Sequence, residues 1–367
     1  MVDEMIKLAG IDIGNDSIKL VIDGGQETIS IPNIVAPGYE RSILQEEDSP
    51  LKGLDIMVHS PRLARSNQRY FVGQLAMEND DNVELEDMDN KALSDQSLIV
   101  ALVALAYAGV SGQSLSGSSF NSTYDEVEYV IGTGLPVRTY AKFHKVFEDR
   151  LIGEHEVTFL TTPQLRNRKV KVMIRKAVIS IEGAAALFHM ATHDNLQVKD
   201  EELYYGCIGI CEMGALTTDF PVLKRMSIDN QFSTGEQMGL AMYLDYIIHD
   251  IEDTYGYRFP SRTKLVQRVK TGNYNIQRIG EGQANIKPIV DAYFIRAAQR
   301  IVDHIKKRWK KYPDIECFYV LGGGAMALKP YILELAQTMK LRFVEDSELQ
   351  NVYGYLKMAK NKVNQSS

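Results

Sequence analysis

Three short segments combine carboxylates, glycines and polar groups in patterns suited to holding phosphate. The first is Gly10 to Lys19 (GIDIGNDSIK): Asp12 closes an apolar stretch, Gly14 permits a tight turn, and Lys19 lies on the returning stretch. Such a hairpin can offer backbone N–H groups, a side-chain amide and an ammonium to a phosphate, while its carboxylate holds the waters of a metal ion. Taken alone, an Asp-x-Gly turn is also an ordinary hairpin. The second segment, Glu212 to Asp219 (EMGALTTD), again has an acid, a glycine two residues on, then Thr217 and a further acid. The third, Tyr319 to Met326 (YVLGGGAM), is an apolar stretch running into Gly322, Gly323 and Gly324. Glycines there let a backbone approach a flat ring or a phosphate. The segment has neither the spacing of a dinucleotide fingerprint nor the lysine of a P-loop, and by itself it also reads as a plain strand-to-helix turn.

The elements that must position these segments repeat. Ile6 to Val21 reads as two strands around a Gly-Asn-Asp-Ser turn, and Tyr204 to Cys211, Gly214 and Leu216 to Leu223 repeat strand, turn and strand after a polar linker, His193 to Glu202. Between them, Leu98 to Val110 (LIVALVALAYAGV) reads as a buried helix. Glu126 to Leu135 is expected to be a strand ending in a Gly turn, Pro136 to Arg150 a helix, Val170 to Ile181 a strand and Gly183 to Thr192 a small-residue helix. Acid-rich residues 78–86 and the Gly/Ser-rich stretch 111–122 read as polar segments, the latter as an exposed loop. Further on, helical patterns occupy Gln237 to Tyr255, Ser261 to Lys270, Ile289 to Trp309 and Lys329 to Met339, with Cys317 to Leu321 a strand. Two α/β halves with the same opening hairpin imply an internal duplication, and two acidic hairpins of this kind suggest two jaws on one polyphosphate.

Composition bounds the function. With 367 residues, 45% hydrophobic, the chain can bury more than one core. No apolar run approaches the roughly 20 residues of a membrane-spanning helix, and no secretory signal is evident, so a cytoplasmic protein is expected. Cys207, Cys211 and Cys317 fit buried thiols better than disulfides or a metal site. The net charge of −7 argues against direct nucleic-acid binding. The local basic run Lys306 to Lys311 (KKRWKK) reads as a solvated helix end.

The ordered set DIGNDSIK, EMGALTTD and VLGGGAM resembles the first phosphate loop, second phosphate loop and adenosine loop of the superfamily of actin, sugar kinases and seventy-kilodalton chaperones. GTGLPVRTY at 132–140 and NVYGYLK at 351–357 are similar to segments of the ParM-like actins of plasmid segregation. The resemblance implies an α/β actin-like fold of two duplicated ribonuclease-H-like domains flanking a nucleotide cleft. Domain I would be 1–192 with 343–367, carrying an inserted subdomain at 36–125. Domain II would be 193–342, with a small subdomain near 226–280. It further implies that Asp12 and Glu212 hold magnesium through water. The phosphates of ATP, or GTP, would lie against Gly14, Asn15, Asp16, Ser17, Lys19, Gly214, Ala215, Leu216 and Thr217, and the nucleotide also against Gly235 and Gly322, Gly323, Gly324, Ala325 and Met326. Glu182, in KAVISIEGAAALF, matches the position where ParM-like actins carry a glutamate that handles the attacking water; its alternative is an acid favoured by the dipole of the following helix. Glu212 stands where aspartate is usual. Ala215 and Leu216 replace a glycine and a threonine, with Thr217 and Thr218 as the compensating hydroxyls.

The activity so implied is that of an ATPase that polymerises on binding ATP and hydrolyses it. By resemblance its load is a plasmid, carried through a ParR-like DNA-binding adaptor. Two other classes remain: a sugar or acid kinase of the same fold, for which no substrate-cleft aspartate stands out, and a non-polymerising ATP-binding scaffold. A membrane-bound scaffold is disfavoured by the polar segment Lys357 to Ser367 (KMAKNKVNQSS).

Overall fold

The structure is a computed structural model that describes residues 6–25, 27–42, 47–79, 83–84, 90–111, 124–278 and 282–365. The expected loop at 111–122, apart from Ser111, and most of the acid-rich 78–86 lie outside the described residues. The chain divides into two compact units, Met1–Lys199 with Leu349–Ser367, and Asp200–Glu348.

The first unit opens on the antiparallel hairpin of β1 (Lys7–Ile13) and β2 (Ser17–Ile22), which sets Asp12 opposite Lys19. Ile11, Ile13, Ile18 and Leu20 are fully buried, which fixes the register because a one-residue slip would turn them outward. β3 (Ile29–Pro32) extends this hairpin on one side. β4 (Ile34–Pro37), β5 (Leu54–His59), β6 (Gln68–Val72), the short α1 (Gln74–Met77) and β7 (Val83–Glu84) build the far edge of the sheet. α2 (Asp95–Ser111) is apolar on every side and accordingly buried almost throughout.

β8 (Tyr124–Leu135), α3 (Val137–Leu151), β9 (Gly153–Phe159), β10 (Arg168–Ile181) and α4 (Ala184–Ala191) complete the unit's middle. The sheet has ten strands in the order β3-β2-β1-β8-β10-β9-β5-β6-β4-β7, with β1, β8 and β10 parallel at its centre.

The second unit begins with α5 (Glu201–Tyr205), capped by the Asp200 carboxylate, where the sequence pattern suggested linker and strand. β11 (Cys207–Met213) follows. The expected single return strand is two, β12 (Thr218–Phe220) and β13 (Val222–Lys224), because Pro221 has no N–H to continue the ladder. β14 (Ser227–Ile228), β15 (Thr234–Glu236), α6 (Leu240–Tyr255), α7 (Arg262–Thr271) and the small sheet of β16 (Asn275–Arg278) with β17 (Gly282–Asn285) come next. Then run α8 (Lys287–Lys311), β18 (Cys317–Leu321), α9 (Ala325–Leu335), which starts earlier than its pattern suggested, and β19 (Leu341–Phe343).

In the seven-stranded sheet, β18 lies parallel to β11, as β8 lies parallel to β1 in the first unit. At the end of α8 the lysines are exposed, but Arg308 turns inward over the Phe220 ring and bonds Thr234, so the basic run is only partly solvated.

α10 (Gln350–Asn364) returns to the first unit. A Cβ on Gly132 would lie 2.0 Å from the Tyr355 carbonyl oxygen, and one on Gly354 2.0 Å from that of Ala185. The glycines of GTGL therefore sit inside β8, not in a turn: Gly132 admits the backbone of α10 and Gly134 the Tyr355 ring that α10 carries.

Candidate functional site

Within the first unit, the turn between β1 and β2 is braced by side chains from elsewhere in the chain. The Gly14 carbonyl accepts from Asn33 Nδ2 at 2.9 Å, the Asp16 carbonyl from the Asn33 backbone N–H at 2.9 Å, and the Ile13 carbonyl from Lys91 Nζ at 3.0 Å. Asn33 is itself buried, and its carbonyl accepts from the Gln96 side chain. In planar trans peptides each C=O opposes the next N–H, so tying these oxygens back turns the N–H groups of Gly14, Asn15 and Ser17 the other way. That is the donor arrangement an anion requires, with the Lys19 ammonium on the adjoining strand.

Glu182 follows β10 and belongs to the same neighbourhood. Its backbone N–H donates to Leu135 O at 3.1 Å, and the next N–H, of Gly183, donates to Asn351 Oδ1 at 3.0 Å. Its carboxylate pairs with Lys91 Nζ, the same ammonium that holds Ile13 O. Burial pushes the Glu182 carboxyl above the usual carboxylate range; Lys91 opposes this and the charge of Asp12 adds to it. Asp12, the turn 14–17, Lys19 and Glu182 thus share one region of the first unit.

In the second unit, the turn between β11 and β12 follows the same path with different bracing. Gly214 N donates to Thr217 O at 2.9 Å. The carbonyls of Gly214, Ala215 and Leu216 accept from Leu240, Ala241 and Gly239 N–H groups, at 3.3, 2.9 and 3.0 Å. The first amides of α6 are consumed by the turn, and the N–H groups of Ala215, Leu216 and Thr217 face away from the helix. Gly239 is required by this contact, since a Cβ there would lie 1.9 Å from Ala215 O.

Leu216 is buried, so only its backbone can serve a ligand. The Thr218 hydroxyl, expected to compensate for a lost one, donates instead to Met238 O at 2.7 Å in the core; that of Thr217 lies 3.4 Å from Asp219 Oδ2.

The triple glycine adjoins this turn. Glu212 pairs with Leu321 across the parallel ladder, Gly322 has φ +96° with its Cβ position 2.5 Å from Met213 O, and Gly324 N donates to that same oxygen at 3.1 Å. Gly323 is exposed with open space where a Cβ would be, and Ala325 and Met326 form the first turn of α9. Gly235 lies on β15 opposite Asp219, in the ladder rather than in either turn.

Sequence reasoning missed Asn33 and Lys91. Neither belongs to a recognisable motif, and each reaches the first turn only through the tertiary fold. Among the described residues no cluster of metal-ligand type occurs and no helix is long and apolar enough to cross a membrane. The three cysteines are buried, and burial raises the thiol pKa of each.

Two family models match the chain: actin-like proteins, N-terminal domain, over residues 10–184, and archaeal actin homologue MreB-like, C-terminal, over residues 210–334. With the two-domain α/β fold, they make the chain a member of the actin-like superfamily. Within it, the chain is similar in structure to Bacillus thuringiensis ParM with ATP, at 20% identity and TM-score 0.73, covering 99% of this chain and 100% of that one. It is likewise similar to the actin-like protein Alp7A (17% identity, TM-score 0.76, 99% and 98% covered). A 15-stranded ParM filament from Clostridium botulinum is a third such structure (18%, TM-score 0.74, 97% and 99%). No curated protein matches the chain in sequence.

Proposed function

We propose that this protein is an actin-like ATPase that assembles into filaments on binding ATP and disassembles after hydrolysing it. The observation that carries the reading is the pair of hairpin turns, each with its carbonyls tied back and its N–H groups turned outward. Each turn offers its outward N–H groups to nucleotide phosphate, Lys19 adds a cation beside the first, and the glycine turn at 322–324, next to the second, suits the nucleoside. The carboxylates of Asp12 and Glu212 suit the water shell of magnesium, which when bound offsets phosphate charge. Glu182 accepts the proton of the attacking water as the terminal phosphoryl group leaves for that water. Burial raises its proton affinity, as suits a base, and Lys91 opposes that rise.

Filament assembly is supported by the likeness to a ParM filament subunit: one head-to-tail contact, repeated without closing, makes a polymer. The load is a plasmid, attached in the cytoplasm through a ParR-like DNA-binding adaptor rather than by this chain, whose net charge of −7 disfavours direct DNA contact. The test is light scattering with phosphate release in ATP and magnesium. The wild type should polymerise and then decay, and Glu182→Ala should polymerise with phosphate release slowed about 100-fold or more. No ATP-dependent rise in particle size at any attainable concentration rejects the filament reading.

A further inference from the structure

Lys91 is almost fully buried, and one ammonium serves two acceptors: the carboxylate of Glu182 and, at 3.0 Å, the carbonyl of Ile13. Ile13 ends β1, between Asp12 and the Gly14 turn. The backbone of Glu182 is held separately, by Leu135 on β8 and through Gly183 by Asn351 on α10. Lys91 is therefore the tie between the carboxylate and the first turn. Without that ammonium the mostly buried Glu182 carboxylate would face the charge of Asp12 with no opposing cation among the described residues.

We propose that Lys91 is a positioning residue, which holds the Glu182 carboxylate in place against the end of β1 so that phosphate-loop and water-activating groups move as one piece. The proposal rests on the ATPase reading above and adds a part to it. A ligand that shifts the Gly14 turn must also shift the Ile13 carbonyl, and through Lys91 it must shift Glu182.

The experiment is a double-mutant cycle on the full chain, with Lys91→Met, Glu182→Gln and the double variant. Phosphate release, nucleotide affinity and melting temperature are measured for each. If Lys91 acts through Glu182, Lys91→Met lowers kcat at least tenfold, beyond any loss of nucleotide affinity that comes from its bond to the Ile13 carbonyl, and lowers kcat no further once Glu182 is already Gln. The melting temperature separates a folding defect: Lys91→Met alone strands a buried carboxylate and melts lower, whereas the double variant, with both charges gone, recovers. Independent, multiplying losses of kcat, or a Lys91→Met enzyme with wild-type kcat, overturn the proposal. Wild-type protein that releases no phosphate overturns the ATPase reading instead, which the same experiment reads first.

Discussion

The β1–β2 and β11–β12 turns trace the same path and are held by opposite means. Each places a glycine two residues after an acid and a return residue three positions later, yet the first is anchored by Asn33 and Lys91 side chains and the second by the backbone of α6. The acid faces Lys19 across the first ladder and Asp219 across the second. The two hairpins share backbone geometry while their surroundings differ. Orientation of the peptide planes, rather than any particular side chain, is what the two copies share.

The contrast predicts different failures. The largest belongs to Gly239→Ala, whose new methyl meets the Ala215 carbonyl oxygen, a backbone atom that cannot rotate aside. Overpacking of this kind costs about 3 kcal/mol, and calorimetry should show nucleotide affinity reduced about 100-fold. Asn33→Ala should be milder, since losing a buried brace costs about 1–3 kcal/mol, and the loss should appear both in stability and in affinity. Unchanged affinity in that variant would break the comparison, because the first turn would then need no brace.

Lys19→Ala sharpens it further. Its effect should be about tenfold in low salt and fade as ionic strength rises, because a half-exposed ammonium is screened.

The smallest effect concerns acid. Burial lowers the pKa of His155 and, aided by the Lys357 charge, brings that of His189 to about 4; both histidines lie in the first unit. Their folded state refuses protons that the unfolded state accepts near 6.5, so stability present above that value is lost as pH falls toward 4. Hydrogen exchange between pH 7 and 5 should report faster opening around α4 and β9 than at pH-matched controls carrying His155→Gln and His189→Gln.

The sequence made the hairpins legible because a glycine after an acid, flanked by alternating apolar residues, encodes a turn locally. Glu182 was legible only through family likeness, since nothing in KAVISIEGAAALF marks it as chemical. Asn33 and Lys91 were not legible at all: their partners Gly14, Ile13 and Glu182 lie far off in the chain, and only the assembled sheet brings them together. The glycines of β8 were misread as a turn for the same reason, because the helix they accommodate is α10, at the other end of the sequence.

The most direct measurement is hydrogen exchange of the full chain with and without magnesium and a non-hydrolysable ATP analogue. The account predicts slowed exchange in three separate peptides together, covering 14–17, 214–217 and 322–326, at the same nucleotide concentration. Protection of one turn without the other, or of neither while the analogue is bound, would contradict it.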